Sequence, residues 1–306
     1  MTTILFVKTS SLGDVVHNCP AVSDAARAFP GAAIDWVVEE PFAGIAAMHP
    51  AVRRVIPVAV RRWRAALFKS STWSEMAAWR RGLRAERYDA VVDTQSLFKS
   101  ALITSLAQGK RHGLDRASAR EVLAPMFYDV RHSVPRGQHA VERNRQLASK
   151  ALGYSIQGPL EYGLRVPGAA RSAYTVLLTM TSRDDKLWPD ERWIGLAREL
   201  RMPAMFPWGS DLERSRAERI ARAVGGTTMP RRLGIDELAN LFVGASAVIG
   251  LDTGLTHFAA ALGVQTVGIY CGSNPALTGI YGAPRAQNVG AAGKPPEVRE
   301  VLALIA

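Results

Sequence analysis

Asp252, Thr253, Gly254 and His257 are the residues of this sequence whose types and spacing best suit a ligand. They follow an apolar, β-branched run at 247–251 and precede a helical run, a pattern that predicts a strand, a turn and a helix. Open α/β sheets bind ligands at such turns, and free N–H groups of a helix start favour an anion such as phosphate. The alternative is structural: Asp252 caps the helix and His257 is a core histidine.

Two carboxylates stand at the starts of other predicted helices, and each has two interpretations. Asp14 ends the polar loop 9–14 and is either a helix N-cap or a general base for a substrate hydroxyl. Glu213 follows the short strand predicted at 204–207. It either complements the helix dipole or accepts hydrogen bonds from ribose hydroxyls. The residues alone leave these alternatives open.

The loop 181–186 has the composition of a phosphate site. Thr181 and Ser182 offer hydroxyl donors, and Lys186 is a compact positive charge of the kind that binds phosphate. Two consecutive aspartates in the same loop raise the alternative of a divalent metal. Because basic residues flank the pair, we interpret it as a self-neutralising, solvated loop and predict no metal site.

A basic, tryptophan-rich segment at 61–87 contains Arg61, Arg62 and Arg64. It is a solvated face, a nucleic-acid surface that stacks bases and pairs phosphates, or a site for an anionic acceptor such as a phosphorylated lipid at a membrane surface. The chain carries 38 Lys and Arg against 27 Asp and Glu, a net charge of +11, which favours an anionic partner of some kind. Because no RNA- or DNA-binding motif is present, we favour the lipid and predict no nucleic-acid partner.

The predicted strands and helices alternate in two successive series. The strands are expected at 4–7, 34–38, 55–60, 88–93, 174–179, 204–207, 247–251 and 264–270. A segment rich in Gly, Pro and Arg at 158–172 separates the two series. We therefore predict an α/β fold of two Rossmann-like, doubly wound domains, 1–165 and 166–306, which face each other across a cleft.

Three details of the first domain are also predicted. One helix is expected at 15–28, a largely helical segment at 61–87, and an irregular polar segment at 111–143. The first loop lacks the GxGxxG spacing, which disfavours a dinucleotide cofactor such as NAD.

The composition indicates a globular protein with a sizeable core, since 48% of its 306 residues are hydrophobic. No apolar run approaches the roughly 18 residues of a membrane span, and the first residues do not have the pattern of a signal peptide. The two cysteines, Cys19 and Cys271, fall in different predicted domains. We therefore expect no disulfide and a reducing cytoplasm.

Several runs of this sequence, in the same order, resemble the lipopolysaccharide heptosyltransferases of glycosyltransferase family 9, and the type I enzymes more than type II. The runs that carry the resemblance include ILFVKTSSLGDVVHNCPA, RRVIPVAVRRWR, YDAVVDTQSLFKSA, TSRDDKLWP and LDTGLTHFAAALG. The resemblance implies a GT-B fold and an inverting transfer, without metal or cofactor, from ADP-L-glycero-β-D-manno-heptose to the inner Kdo of Kdo2-lipid A. It also implies a peripheral protein at the cytoplasmic face of a Gram-negative inner membrane.

The resemblance further implies roles for single residues. Asp14 matches the catalytic aspartate, and Lys186 matches the lysine that acts on the donor phosphates. The other implied donor-binding residues are Thr181, Ser182, Glu213, Leu233, Asp252, Thr253, Gly254 and His257. The implied acceptor-binding residues are Arg61, Arg62, Arg64, Arg120 and Arg143. Ser182 stands where the family often has threonine, and Leu233 where it usually has a methionine beside the adenine.

Three alternative functions remain open from the sequence. They are a heptosyltransferase of type II, a nucleotide-sugar epimerase of the same fold, and a nucleic-acid-binding protein. The epimerase leaves the basic, tryptophan-rich segment without a function, because it needs no lipid acceptor. The nucleic-acid-binding protein does not account for the separate phosphate-type loops.

Overall fold

The structure is a computed structural model that describes residues 1–167 and 172–305. The chain forms two compact units, Met1–Gly163 and Leu164–Ala306. Within the predicted connecting segment 158–172, residues 168–171 lie outside the described residues. Among the residues that the structure describes, every helix is too short or too polar to cross a membrane.

The first unit contains a six-stranded parallel sheet in the order β3-β2-β1-β4-β5-β6. Its strands are β1 (Thr3–Val7), β2 (Ala33–Glu39), β3 (Val52–Val58), β4 (Arg87–Asp93), β5 (Gln108–Leu114) and β6 (Val130–His132). Its helices are α1 (Leu12–Val16), α2 (Cys19–Ala28), α3 (Ala43–Ala47), α4 (Val60–Ala65), α5 (Ser70–Arg84), α6 (Phe98–Leu106) and α7 (Ala140–Leu152).

The second unit repeats this plan with the sheet order β12-β11-β10-β7-β8-β9, again parallel. Its strands are β7 (Thr175–Leu178), β8 (Ala204–Phe206), β9 (Thr227–Thr228), β10 (Ala247–Leu251), β11 (Thr266–Tyr270) and β12 (Ala286–Gly290). Its helices are α8 (Asp190–Leu200), α9 (Asp211–Val224), α10 (Ile235–Gly244), α11 (Gly254–Ala261), α12 (Pro275–Thr278) and α13 (Val298–Leu302).

The central strands explain why the α/β pattern can be read from the sequence. Every residue of β2, β10 and β11 is buried, because helices cover parallel sheets and leave little of the central strands in contact with water. Such strands appear as short, nearly continuous apolar runs. The prediction of two doubly wound series of strands and helices is thus confirmed.

Two predicted helices prove to be divided. The helix expected at 15–28 is α1 and α2, which are separate because Pro20 cannot donate the backbone hydrogen bond that a continuous helix requires there. Pro20 instead occupies the first turn of α2, where its missing N–H has no consequence. The segment 61–87 is likewise two helices, α4 and α5.

The prediction of an irregular segment at 111–143 was wrong, because this part of the chain contains most of β5 and all of β6. Only the last three residues of β5 are buried, so the strand lacks the apolar run that identifies the central strands. Gly113 lies in β5 because the ring of Tyr128 packs against it: a Cβ there would lie 2.1 Å from a ring carbon of Tyr128. The Tyr128 hydroxyl donates to Asp93 Oδ2 at 2.8 Å and ties this segment to β4.

We predict that Gly113→Ala lowers the free energy of unfolding by about 1–3 kcal/mol, because the added methyl group overpacks the contact with Tyr128. Gly137→Ala is the matched control, since nothing lies within 4 Å of a Cβ at that position. Chemical denaturation followed by circular dichroism measures both variants. Equal stability of the two variants would contradict the close packing at Gly113.

Candidate active site

The strand order reverses once in each sheet, and several candidate site residues lie in loops that follow the strands at these reversals. In the first unit the reversal lies between β1 and β4, and in the second between β7 and β10. At such a point successive connections leave the sheet in opposite directions and open a crevice outside the strand ends. Asp14 follows β1, Lys186 follows β7, and Asp252 follows β10.

In the first unit the loop after β1 is braced by the loop after β4. The side-chain oxygen of Gln95 accepts hydrogen bonds from Thr9 N at 2.6 Å and Thr9 Oγ1 at 2.8 Å. Its amide nitrogen donates to the carbonyl of Ser10 at 2.7 Å. Gln95 is itself positioned by the buried Asp93, whose Oδ1 accepts from Gln95 N at 2.8 Å. The backbone that leads to Asp14 is therefore fixed by buried polar contacts.

Asp14 is the third residue of α1 and also contacts a cation; the N-cap is Ser11, so the interpretation of Asp14 as the N-cap was wrong. Its Oδ2 accepts from Ser11 N at 3.0 Å, and its Oδ1 lies 3.3 Å from a guanidinium nitrogen of Arg120. Burial acts to raise the pKa of Asp14, but the charges of Lys8 and Arg120 and the hydrogen bond from Ser11 N hold it below its ordinary value. Asp14 thus completes a capping box with Ser11 while its carboxylate stays ionised, and this geometry is compatible with a general base.

Lys8 and Arg143 complete a group of cations around Asp14. Lys8 is buried and donates to the carbonyl of Thr94 at 2.9 Å. Burial lowers the pKa of Lys8 to about 8, an effect that Asp14 opposes and that Arg120 and Arg143 strengthen. Burial, together with the neighbouring arginines, also lowers the pKa of Arg143. The structure therefore brings together Asp14 and two of the predicted acceptor-side arginines.

The three predicted arginines of α4 have different surroundings. The backbone N–H of Arg61 donates to Glu39 Oε1 at 2.8 Å, and its guanidinium lies 5.8 Å from the centroid of the Phe42 ring. Arg62 is already paired, with Glu40 at 2.8 Å and with Glu75 at 2.6 Å. Arg64 is exposed. Lys99 lies within electrostatic range of Glu39, Arg61, Asp14 and Arg120.

In the second unit a close contact between strand and helix sets the turn at Asp252. A Cβ on Gly250 would lie 2.3 Å from Thr256 Oγ1. The glycine therefore leaves room for that hydroxyl, which donates to the carbonyl of Leu251 at 2.6 Å. This bond ties the first turn of α11 to the end of β10. Thr253 is the N-cap residue and Gly254 the first helical residue, so the interpretation of Asp252 as the cap was wrong. The first N–H groups of a helix have no partner within the helix.

Asp252 is held by polar groups from three different loops or helices. Its Oδ2 accepts from Lys186 Nζ at 2.7 Å and from Ser273 Oγ at 2.5 Å. Its Oδ1 lies 3.5 Å from His257 Nε2. Burial favours a raised pKa for the Asp252 carboxyl, but the hydrogen bonds from His257, Lys186 and Ser273 outweigh burial and hold that pKa well below its ordinary range.

The remaining donor-side residues lie around this carboxylate. Thr181 Oγ1 donates to the backbone carbonyl of Asp252 at 3.0 Å, whereas Ser182 is exposed. Glu213 lies in the first turn of α9 and its Oε2 accepts from Gly209 N at 2.6 Å. Leu233 is half-buried in the loop before α10. The structure thus joins Thr181, Lys186, Asp252 and His257 directly.

Sequence reasoning missed several residues of both sites. Ser273 lies in the polar run Cys-Gly-Ser-Asn directly after β11. A polar loop at the end of a buried strand is the same signal that identified the loops at Asp14, Lys186 and Asp252. Gln95 follows β4 in the same way. Lys8 directly after the apolar strand at the start of the chain was a further signal, because a lysine at the end of a buried strand needs partners.

The sequence and fold were compared with those of known proteins. The family model described as glycosyltransferase family 9 (heptosyltransferase) matches residues 76–303. The chain belongs to glycosyltransferase family 9. It is also 45% identical over 292 residues to lipopolysaccharide heptosyltransferase 1 of Escherichia coli K12, covering 91% of each chain.

Two solved structures of an E. coli enzyme resemble the whole fold. The heptosyltransferase WaaC with ADP matches with a TM-score of 0.91 and 42% identity over 99% of both chains. The same enzyme with ADP-2-deoxy-2-fluoro heptose matches with a TM-score of 0.85 and 42% identity, over 97% of this chain and 95% of the other. The expectations of a GT-B fold and of a glycosyltransferase enzyme are therefore confirmed.

We predict that Arg120→Gln raises the pKa of Asp14, because it removes a positive charge that stabilises the ionised carboxylate. The protonated form then persists to higher pH, so the acid side of the titration moves upward. Carbon-13 chemical shifts of labelled aspartates measure the pKa directly. Arg116→Gln, which removes an exposed arginine nearby in the sequence, is the control. An unchanged titration of Asp14 in Arg120→Gln would contradict the assigned electrostatic contact.

Proposed function

We propose that this protein transfers L-glycero-D-manno-heptose from ADP-heptose to the inner Kdo of Kdo2-lipid A, with inversion and without a metal ion. The observation that carries the proposal is that one chain of family 9 contains two different polar sites. One is an ionised carboxylate among cations, and the other is an anion-binding turn with a lysine. A glycosyl transfer needs both components: a base that accepts the proton of the acceptor hydroxyl, and groups that stabilise the negative charge of the leaving diphosphate.

Residues of the second unit support a nucleotide sugar as the donor. Lys186, the Thr181 hydroxyl and the first turn of α11 offer positive charge and donors suited to a diphosphate. Glu213 is the proposed ribose ligand, and Leu233 is the proposed apolar contact of the adenine. ADP and an ADP-heptose analogue are named in the two E. coli structures that this chain resembles, which supports the same donor class here.

In the proposed reaction Asp14 takes the proton of the attacking acceptor hydroxyl. The acceptor oxygen then bonds to the anomeric carbon on the face opposite ADP, the bond to the diphosphate breaks, and ADP leaves with the electron pair. Lys186 and the N–H groups at the start of α11 stabilise the developing negative charge. Arg120 lowers the basicity of Asp14 in the free protein. An anionic acceptor that engages Arg120 weakens this contact and makes Asp14 a better base.

The acceptor is supported by the charges near Asp14. Arg120 and Arg143 lie with Lys8 near the carboxylate, and Lys99 lies within electrostatic range of Asp14, Arg120 and Arg61. Kdo carries a carboxylate and lipid A carries phosphates, so cations of this kind suit them. Arg62 and Arg64 remain further candidates on α4. The proposed location is the cytoplasmic face of the inner membrane, which suits an acceptor that is a membrane lipid.

We predict that the protein, incubated with ADP-heptose and Kdo2-lipid A in excess EDTA, adds one heptose to the acceptor. Mass spectrometry detects the added mass, and the anomeric coupling in NMR spectra of the product determines whether the configuration is inverted. The already heptosylated acceptor is the control that separates a type I from a type II enzyme. Activity that EDTA abolishes and Mg²⁺ restores would contradict the metal-independent mechanism.

We predict that Asp14→Asn lowers kcat by about 10²–10⁴-fold, because an amide cannot accept the acceptor proton. Binding of ADP-heptose is expected to stay near that of the wild type, since the proposed donor ligands lie in the second unit. Single-turnover kinetics measure the chemical step, and calorimetry measures donor binding. A variant with near-normal turnover would remove Asp14 from the chemistry.

A further inference from the structure

Exposed apolar side chains of the first unit include Leu67, Phe68 and Trp73 around the start of α5 and a larger group on two segments that pack against each other. One segment is the outer side of α6, and the other surrounds the 3-10 turn Ala124–Phe127. The exposed side chains, with their relative exposures, are Phe98 (42%), Leu102 (41%), Val122 (55%), Leu123 (53%) and Met126 (72%). We call these five residues the apolar surface. Single exposed apolar residues are common, but a group from two packed segments indicates an interaction site.

The apolar surface stands on a well-packed base. Ala101 of α6, Ala124 and Tyr128 form a buried cluster beneath it, and the rings of Phe98 and Phe127 meet edge to face with centroids 5.6 Å apart. The backbone N–H of Phe98 donates to Glu121 Oε2 at 2.6 Å. These contacts fix the two segments to each other, so the exposed side chains project from an ordered support.

Cations adjoin the apolar surface. Arg120 immediately precedes its second segment, Arg131 Nε donates to the carbonyl of Pro125 at 2.9 Å, and Arg136 donates to the carbonyl of Ala119 at 2.5 Å. The carboxylate of Glu121 is bonded to the start of α6. Apolar side chains next to arginines complement an anionic bilayer, because the apolar side chains enter the acyl region and the arginines pair with the headgroups.

We infer that the apolar surface inserts into an anionic phospholipid bilayer, and that this insertion positions the protein for its lipid acceptor. The inference rests on the proposed function for its link to catalysis. Arg120 provides that link, because it adjoins the apolar surface in sequence and lies 3.3 Å from Asp14. A bilayer held against this surface presents its headgroup layer near the carboxylate that accepts the proton.

Co-sedimentation of the full chain with vesicles tests the inference. Vesicles of equal parts phosphatidylethanolamine and phosphatidylglycerol are compared with vesicles of phosphatidylcholine. The double variant Leu123→Ser/Met126→Ser is expected to bind the anionic vesicles roughly tenfold or more weakly, because it removes two large apolar side chains from the acyl region. Leu102→Ser on α6 is an independent variant and is expected to weaken binding in the same direction. Raised salt is expected to weaken binding of every variant, since the arginines remain.

Leu212→Ser is the matched control, because it removes a side chain that is 74% exposed but lies in the second unit. Its vesicle binding is expected to equal that of the wild type. Wild-type binding by the double variant and by Leu102→Ser, or no binding of the wild type to anionic vesicles, would overturn the inference. Sedimentation velocity gives a further outcome that would overturn it: a dimeric wild type and a monomeric double variant, with unchanged vesicle binding. In that case a second copy of the chain covers the apolar surface.

A transfer assay separates failure of this inference from failure of the proposed function. With Kdo2-lipid A dispersed in detergent, the double variant is expected to transfer heptose at the wild-type rate, because no bilayer has to be engaged. Lack of transfer by the wild type in detergent would refute the proposed function, while the vesicle measurements would still decide whether the apolar surface binds a membrane.

Discussion

The constraint on which both sites depend is the reversal of strand order in each parallel sheet. Because all strands of a sheet point the same way, the loops that follow neighbouring strands meet at one edge. The reversals at β1/β4 and at β7/β10 select which loops meet, and these are the loops that carry Asp14, Gln95, Lys186 and Asp252. Residues far apart in the sequence thus become hydrogen-bonded neighbours without any special local motif.

A second common feature is that each site keeps a carboxylate ionised in partly buried surroundings. For Asp14 the stabilising charges come from Lys8 and Arg120, and for Asp252 from Lys186 with help from a hydroxyl and a histidine. Desolvation works against the charge in both cases, so the cations are required rather than incidental. The two carboxylates differ in exposure. Asp14 has an exposed side-chain fraction of 25% and can reach a substrate, whereas Asp252 has 8% and is saturated by protein donors.

The sequence predicts the parts of this fold whose signal is local. The strand 247–251, the turn and the following helix could be assigned because buried strands and helix starts leave patterns within a few residues. β5, β6, β9 and β12 were missed because each is short or polar and depends on neighbours for its pairing. The position of Asp14 could be predicted, but its contact with Arg120 and the bracing by Gln95 could not, since these join residues that only the sheet topology brings together.

The contact between Lys186 and Asp252 has a consequence for turnover. The Lys186 ammonium group has a carboxylate partner within the protein at 2.7 Å, so Asp252 balances its positive charge. In the proposed cycle, Lys186 therefore pairs with Asp252 when ADP departs, and the Asp252 carboxylate competes with the ADP diphosphate for Lys186. Such internal competition weakens retention of the spent nucleotide and favours its exchange for a fresh sugar nucleotide.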